Sequence, residues 1–272
     1  MSISLKSTIP AAVIAGALVL GLTACGSDKA DASEKLVVGA TPTPAGEVLT
    51  YVQKNLAKKA GLDLEIKEFT DYVLPNTALQ QGDLDANLFQ HTPYLKDFNK
   101  SKGTTLAPVT QIYLPPLGFY SKKTKDVTKL RAGATVALPN DITNEGRALE
   151  LLASQGVIGL KKGAGLNATP KDVAKNPKGL KFKELEAAQL PRSLDDVDVA
   201  AVNNNFAMDA GLNPKKDAIL LESVKDNPYN NILAVKKGEE DDPRVKKLAK
   251  LLTSPEVKKF IETKYKGSVL PV

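Results

Sequence analysis

From Lys35 to Tyr265, short apolar runs alternate with stretches of helical period, and few architectures accept such a chain. The pattern predicts an α/β fold with largely parallel sheets. Leu36 to Ala40 reads as a buried strand, and the turn Thr41 to Gly46 leads into a helix over Glu47 to Lys59. Leu62 to Phe69 alternates apolar and polar residues, as a second strand should. Asn76 to Gln81 reads as a short helix stopped by Gly82, a natural C-cap. Asp85 to Phe89 is a third strand, and Thr92 to Ser101 is a helix with Pro93 in its first turn. Val109 to Tyr120 is extended around the Pro115-Pro116 pair. Leu180 to Leu185, Val197 to Val202, Ile219 to Leu221 and Ile232 to Lys237 read as further strands. Asp242 to Leu252 and Pro255 to Tyr265 close the chain as helices. No period of the repeat-protein kind interrupts this order.

One strand–turn–helix unit carries a local conflict. Ala134 to Leu138 is a buried strand, Pro139 to Asn144 a polar turn, and a helix follows to Leu152. Asp141, Thr143 and Asn144 are all acceptable N-caps. Arg147 then falls in or near the first turn, where a cation opposes the helix dipole. A small anion at that helix end resolves the conflict, because backbone N–H groups and a guanidinium fork would converge on one carboxylate. A solvated surface arginine is the plainer alternative, at a dipole cost of only about 0.3–1 kcal/mol.

Enzymatic chemistry lacks its parts. The chain has one histidine, His91, and one cysteine, Cys25. It has no Gly-x-Ser-x-Gly elbow, Walker loop or Gly-x-Gly-x-x-Gly. One histidine is too few for a zinc or manganese centre, and no EF-hand spacing is present. No cofactor is expected. Amides and aromatics cluster instead at strand ends. Tyr72 follows one strand; Phe89, His91 and Tyr94 surround a strand-to-helix turn; Asn203-Asn-Asn205 ends the strand at Val202; Asn230-Asn231 precedes Ile232. In α/β sheets ligands sit beyond the carboxyl ends of strands. Singly, such rings are ordinary core and such asparagines ordinary turn formers. Together, rings, amides and one guanidinium suit a zwitterion with an apolar, soft side chain.

The first 24 residues read as a signal peptide: Lys6 gives a positive start, and Ala11 to Leu20 is an apolar stretch too short to span a bilayer. It ends in Leu22-Thr-Ala-Cys25, which resembles a lipobox, so Cys25 is the expected lipidation site and attaches the chain to a membrane. Gly26 to Glu34 reads as a flexible tether. The net charge of +6 is dispersed as lysine pairs among acids, and no tryptophan is present. That argues against nucleic acid as a partner.

The segments Tyr72-Val-Leu-Pro-Asn76, Asn87-Leu-Phe-Gln-His-Thr-Pro-Tyr-Leu95, Pro139-Asn-Asp-Ile-Thr-Asn-Glu-Gly-Arg-Ala-Leu149, Asp198 to Ala207 and Asn227-Pro-Tyr-Asn-Asn231 together resemble the NlpA family of methionine-binding lipoproteins. The resemblance covers Lys35 to the C-terminus. It implies a type II periplasmic-binding-protein fold, in which two α/β lobes joined by two crossing strands close over L-methionine. The lobes would be residues 35–117 with 232–272, and residues 118–231. By the same resemblance Arg147 would hold the carboxylate, and Tyr72, Phe89, His91 and Tyr94 would line the side-chain pocket. Asn203 and Asn231, with Asn205, would bind the amino-acid backbone groups. The loaded protein would deliver its ligand to the permease and ATPase subunits of an ABC transporter, outside the cytoplasmic membrane. A methionine-containing dipeptide, another apolar amino acid, or a surface role without transport are the alternatives the resemblance leaves open.

Overall fold

Apolar runs with no polar face need cover on both sides. The computed structural model, which describes residues 35–272, supplies that cover twice. The expected signal peptide, Cys25 and the tether to Glu34 lie outside the described residues. The first sheet holds β1 (Lys35–Ala40), β2 (Asp63–Glu68), β3 (Ala86–His91), β4 (Leu106–Leu114), β12 (Asn231–Lys236) and β13 (Leu270–Pro271), in the order β13-β4-β12-β3-β1-β2. The second holds β5 (Gly118–Tyr120), β6 (Thr135–Pro139), β9 (Lys181–Leu185), β10 (Val199–Val202) and β11 (Leu220–Leu221), in the order β11-β5-β10-β6-β9. A hairpin of β7 (Gly159–Leu160) and β8 (Val173–Lys175) stands apart.

Helices cover each sheet. On one face of the first lie α1 (Glu47–Val52), α7 (Pro243–Leu252) and α8 (Pro255–Tyr265), whose Leu49, Leu248 and Ile261 pack with Leu36, Val38 and Leu233 of the strands. On the other lie α2 (Leu74–Gln81) and α3 (Thr92–Lys102), through Leu79 and Leu95 against Ile232 and Ala234. The second sheet packs Val136, Leu138 and Val199 on Leu149 and Leu152 of α4 (Ile142–Ser154). Its other face meets Leu190, Leu194 and Phe206, the last from α5 (Asn204–Asp209). A short helix, α6 (Pro214–Asp217), completes that side. Burying this much leucine, isoleucine and valine contributes roughly 1.5–3 kcal/mol per large side chain.

The sheets are mixed, not largely parallel as the alternation suggested. β1 pairs in parallel with β2 and β3, and β6 with β9 and β10. β4, β5, β11, β12 and β13 all join antiparallel. The reason is connectivity. The chain leaves the first sheet along β4, enters the second along β5, and returns along β12. β5 follows β4 with no helix between them, and β12 inserts between β3 and β4 and runs against both, so neither is placed by the crossover helix that parallel pairing requires. The helix expected over Glu47 to Lys59 is present but irregular: α1 passes into a five-residue turn at Gln53–Ala57 and then a tighter one at Lys58–Ala60.

Candidate functional site

The carboxyl ends of β2, β3, β6 and β10 all open on one place. β3, every residue of it buried, ends at His91, which caps α3: its Nδ1 accepts from the backbone N–H of Tyr94 at 3.1 Å. The proton must then sit on Nε2, and Nε2 donates to Oδ1 of Asn144 in the first turn of α4, 3.2 Å away. Burial, and then the charge of Arg147, push His91 down to about 3, so its ring is neutral at physiological pH.

α4 begins at Asp141, one of the three expected caps, whose carboxylate accepts from the N–H of Asn144. Arg147 therefore falls in the second turn rather than the first. Of the backbone N–H groups at the helix start, that of Asn144 serves the Asp141 carboxylate and that of Glu145 the Asp141 carbonyl. The guanidinium is buried nonetheless, and Glu222 balances it. Glu222 accepts from Nε of Arg147 at 2.8 Å and from Nη2, while the carbonyl of Pro115 takes a second Nη2 proton at 3.2 Å. The ring of Tyr229 lies 4.2 Å beneath the guanidinium carbon.

After β10 come three buried asparagines. Asn203 donates through Nδ2 to Oδ1 of Asn144 at 2.9 Å, and Asn204 to the carbonyl of Ser268 at 2.8 Å. Asn205 accepts from Oη of Tyr72 at 2.5 Å. The other amide atoms, Oδ1 of Asn203, Oδ1 of Asn204 and Nδ2 of Asn205, are buried with no hydrogen-bond partner in the protein. Such groups are rare in native structures, and each calls for a ligand or a function. Asn231, the first residue of β12, donates to the carbonyl of Phe89 at 2.8 Å.

Rings close the remaining side. Tyr72, Phe89 and Tyr94 stand with centroids 5.7–6.0 Å apart, and Phe206 adds a fourth ring 5.0 Å from Tyr72. Tyr94 donates its hydroxyl to the carbonyl of Tyr72 at 2.9 Å. Burial raises both phenols above their usual range, so each remains a donor.

The guanidinium, the imidazole, the amides and three of the four rings line one cavity. Every ligand-contacting residue expected from the sequence lines it: Tyr72, Phe89, His91, Tyr94, Arg147, Asn203, Asn205 and Asn231. Sequence reasoning missed Gln90, Pro115, Asn144 and Asn204, which line it too. Asn144 had been visible only as a helix cap. Glu222 was missed altogether, and only the rule that a buried arginine needs a carboxylate could have prompted a search for it. Among the described residues no group of three or more metal-binding side chains occurs.

The profile of the NlpA lipoprotein family matches residues 36–272. This chain belongs to the NlpA lipoprotein family. Among its relatives, the D-methionine-binding lipoprotein MetQ of Escherichia coli (strain K12) is 43% identical over 259 residues, covering 94% of this chain and 95% of its own. The methionine-binding lipoprotein MetQ of Bacillus subtilis is 42% identical over 257 residues, covering 92% and 93%. A nutrient-binding protein from Burkholderia cenocepacia, solved bound to methionine, is 51% identical with a TM-score of 0.84, covering 87% of this chain and 99% of its own. The fold of this NlpA-family chain is accordingly that of the periplasmic binding proteins. No helix among its described residues is long and apolar enough to cross a membrane.

Proposed function

We propose that this protein is a lipid-anchored substrate-binding protein that captures methionine and delivers it to the permease and ATPase subunits of an ABC importer. The observation that carries the reading is the convergence, in one cavity, of a buried guanidinium, unpartnered amides and a wall of aromatic rings. The relatives named for methionine point the same way.

Each part of an α-amino acid finds its chemistry. The N–H groups on Nη1 of Arg147 suit the carboxylate, and Oδ1 of Asn203 accepts from the ammonium. Nδ2 of Asn205 adds a donor, and Asn231 an acceptor. Tyr72, Phe89 and Tyr94 surround the thioether, where sulfur–ring contacts contribute about 0.3–1.5 kcal/mol. His91 stays neutral and adds an apolar face.

Binding, not turnover, is the work. Residues 35–117 with 232–272 form one lobe and 118–231 the other, with the chain crossing between them at β5 and β12. The bonds from Tyr72 to Asn205 and from His91 to Asn144 link the two and belong to the closed state. Ligand that contacts both lobes shifts the protein toward that state by its differential affinity. Cys25 carries the lipid, on the extracytoplasmic side of a membrane.

Titration calorimetry with L- and D-methionine tests the reading. At a hundredfold excess over Kd, ligand adds about 2.7 kcal/mol of stability, a rise in Tm of about 5–10 °C. No heat and no rise in Tm with either enantiomer at millimolar concentration removes methionine as the ligand.

A further inference from the structure

Glu222 does not line the cavity, yet it fixes what Arg147 can offer there. A guanidinium has five N–H groups. Glu222 takes the one on Nε and one on Nη2, and the carbonyl of Pro115 takes the other on Nη2. Only Nη1 remains, with Oδ1 of Asn144 at a loose 3.5 Å. Glu222 is itself held: its N–H donates to the carbonyl of Leu117 at 2.9 Å, and the N–H of Leu117 donates back to Oε2 at 3.2 Å. The carboxylate is thus tied to the segment that joins β4 to β5, and the arginine is tied to the carboxylate.

The electrostatic consequence follows from burial. The side chains of Arg147 and Glu222 are 2% and 10% exposed. Their charges cancel, and His91 beside them is neutral. Of the acids at this end of α4, Asp141 is held by both the backbone and side-chain nitrogens of Asn144, and burial raises the Glu145 carboxyl to about 8, which keeps it neutral. A ligand entering the cavity therefore meets no net positive charge. A monoanion would bring an uncompensated charge into a desolvated place, which is costly. A zwitterion brings none, and the amide oxygens receive its ammonium.

We propose that Glu222 is a specificity-determining residue that, by neutralising Arg147, sets the site for net-neutral amino acids and against the corresponding simple carboxylic acids. The inference rests on the reading above that the cavity binds methionine. Selection of this kind is a difference between two affinities, so it is visible in a ratio. The probes are L-methionine and 4-(methylsulfanyl)butanoate, which keeps the thioether and carboxylate and lacks the ammonium.

Calorimetry on the wild-type protein and on Glu222→Gln reads that ratio. The wild type prefers methionine; in Glu222→Gln the preference falls by about tenfold or more, with the butanoate gaining affinity in absolute terms. Equal weakening of both ligands overturns the proposal and leaves Glu222 a structural support for Arg147. Glu222→Asp keeps the charge at a shorter reach and covers the case in which Glu222→Gln does not fold. It retains the wild-type ratio at lower affinity, and collapse of the ratio in that variant overturns the proposal equally. Failure of the wild type to bind methionine would sink the function proposed above instead, which separates the two.

Discussion

The hydroxyl of Tyr72 donates to Oδ1 of Asn205 across the cavity at 2.5 Å, joining the loop after β2 to α5. The same ring lies 5.7 Å from Phe89, so one side chain is both wall and bridge. Tyr72→Phe keeps the wall and removes the bridge. A net hydrogen bond is worth about 0.5–1.5 kcal/mol, so Kd for methionine should rise about 2–12-fold. Calorimetry on the variant checks this, and unchanged affinity would mean the bridge plays no part in closure.

The Arg147–Glu222 pair makes opposite predictions for stability and binding. Removing either partner strands a buried charge, which costs about 3–5 kcal/mol. Replacing both by methionine restores most of that loss, because an apolar pair of similar volume needs no charge compensation. Urea denaturation of Arg147→Met, Glu222→Met and the double variant should show this non-additivity. On the proposed function the double variant should still bind no methionine, since the guanidinium proposed to hold the carboxylate is gone.

His91 makes stability depend on pH in one direction. Its folded value of about 3 lies below the ordinary 6.5. The unfolded chain takes up a proton through pH 6.5 while the folded one does not until near 3, so stability falls as pH drops across that window. Between pH 8 and pH 5 the loss is about 2 kcal/mol. The stability of wild type relative to His91→Asn should therefore fall by that amount between pH 8 and pH 5, as chemical denaturation of both at several pH values will show.

Glu145 pulls the other way. Burial, followed by the neighbouring Glu184, raises its carboxyl to about 8 from 4.5. The folded state then binds the extra proton, and stability falls as pH rises from about 4.5 to 8. Glu145→Gln should be more stable than wild type at pH 8, by about 1–3 kcal/mol, and no more stable at pH 4. An equal difference at both pH values would show that packing rather than titration is responsible. Between about pH 4.5 and 6.5 the two residues' slopes oppose each other in the wild type.

What the chain order revealed was local. Strand ends and caps could be read because apolar runs, Gly82 and Asp141 act through their immediate neighbours. The roles that escaped depend on residues far away. Glu222 reaches Arg147 across 75 positions, and no neighbour of either announces the other. Asn144 read as a cap, but Asp141 took that task and freed the Asn144 oxygen to accept from Asn203 and His91. Gly146 sits inside α4 with no reason visible in its segment. In the fold an added Cβ would lie 2.3 Å from the carbonyl oxygen of Leu166. The mixed strand directions escaped for the same reason: alternation reports which elements exist, not the route between them.

Gly146→Ala should accordingly destabilise by about 1–3 kcal/mol, since backbone, not a flexible side chain, must move aside. Thermal denaturation checks it. A wild-type Tm would mean that the Leu166 segment yields freely.

β12 lies between β3 and β4, at the middle of the first sheet, and Asn231 meets Phe89 from 142 positions further along the chain. During synthesis that sheet has no centre until Lys236 has emerged. The first sheet therefore closes late, on pairings far apart in the chain, and such non-local contacts slow folding.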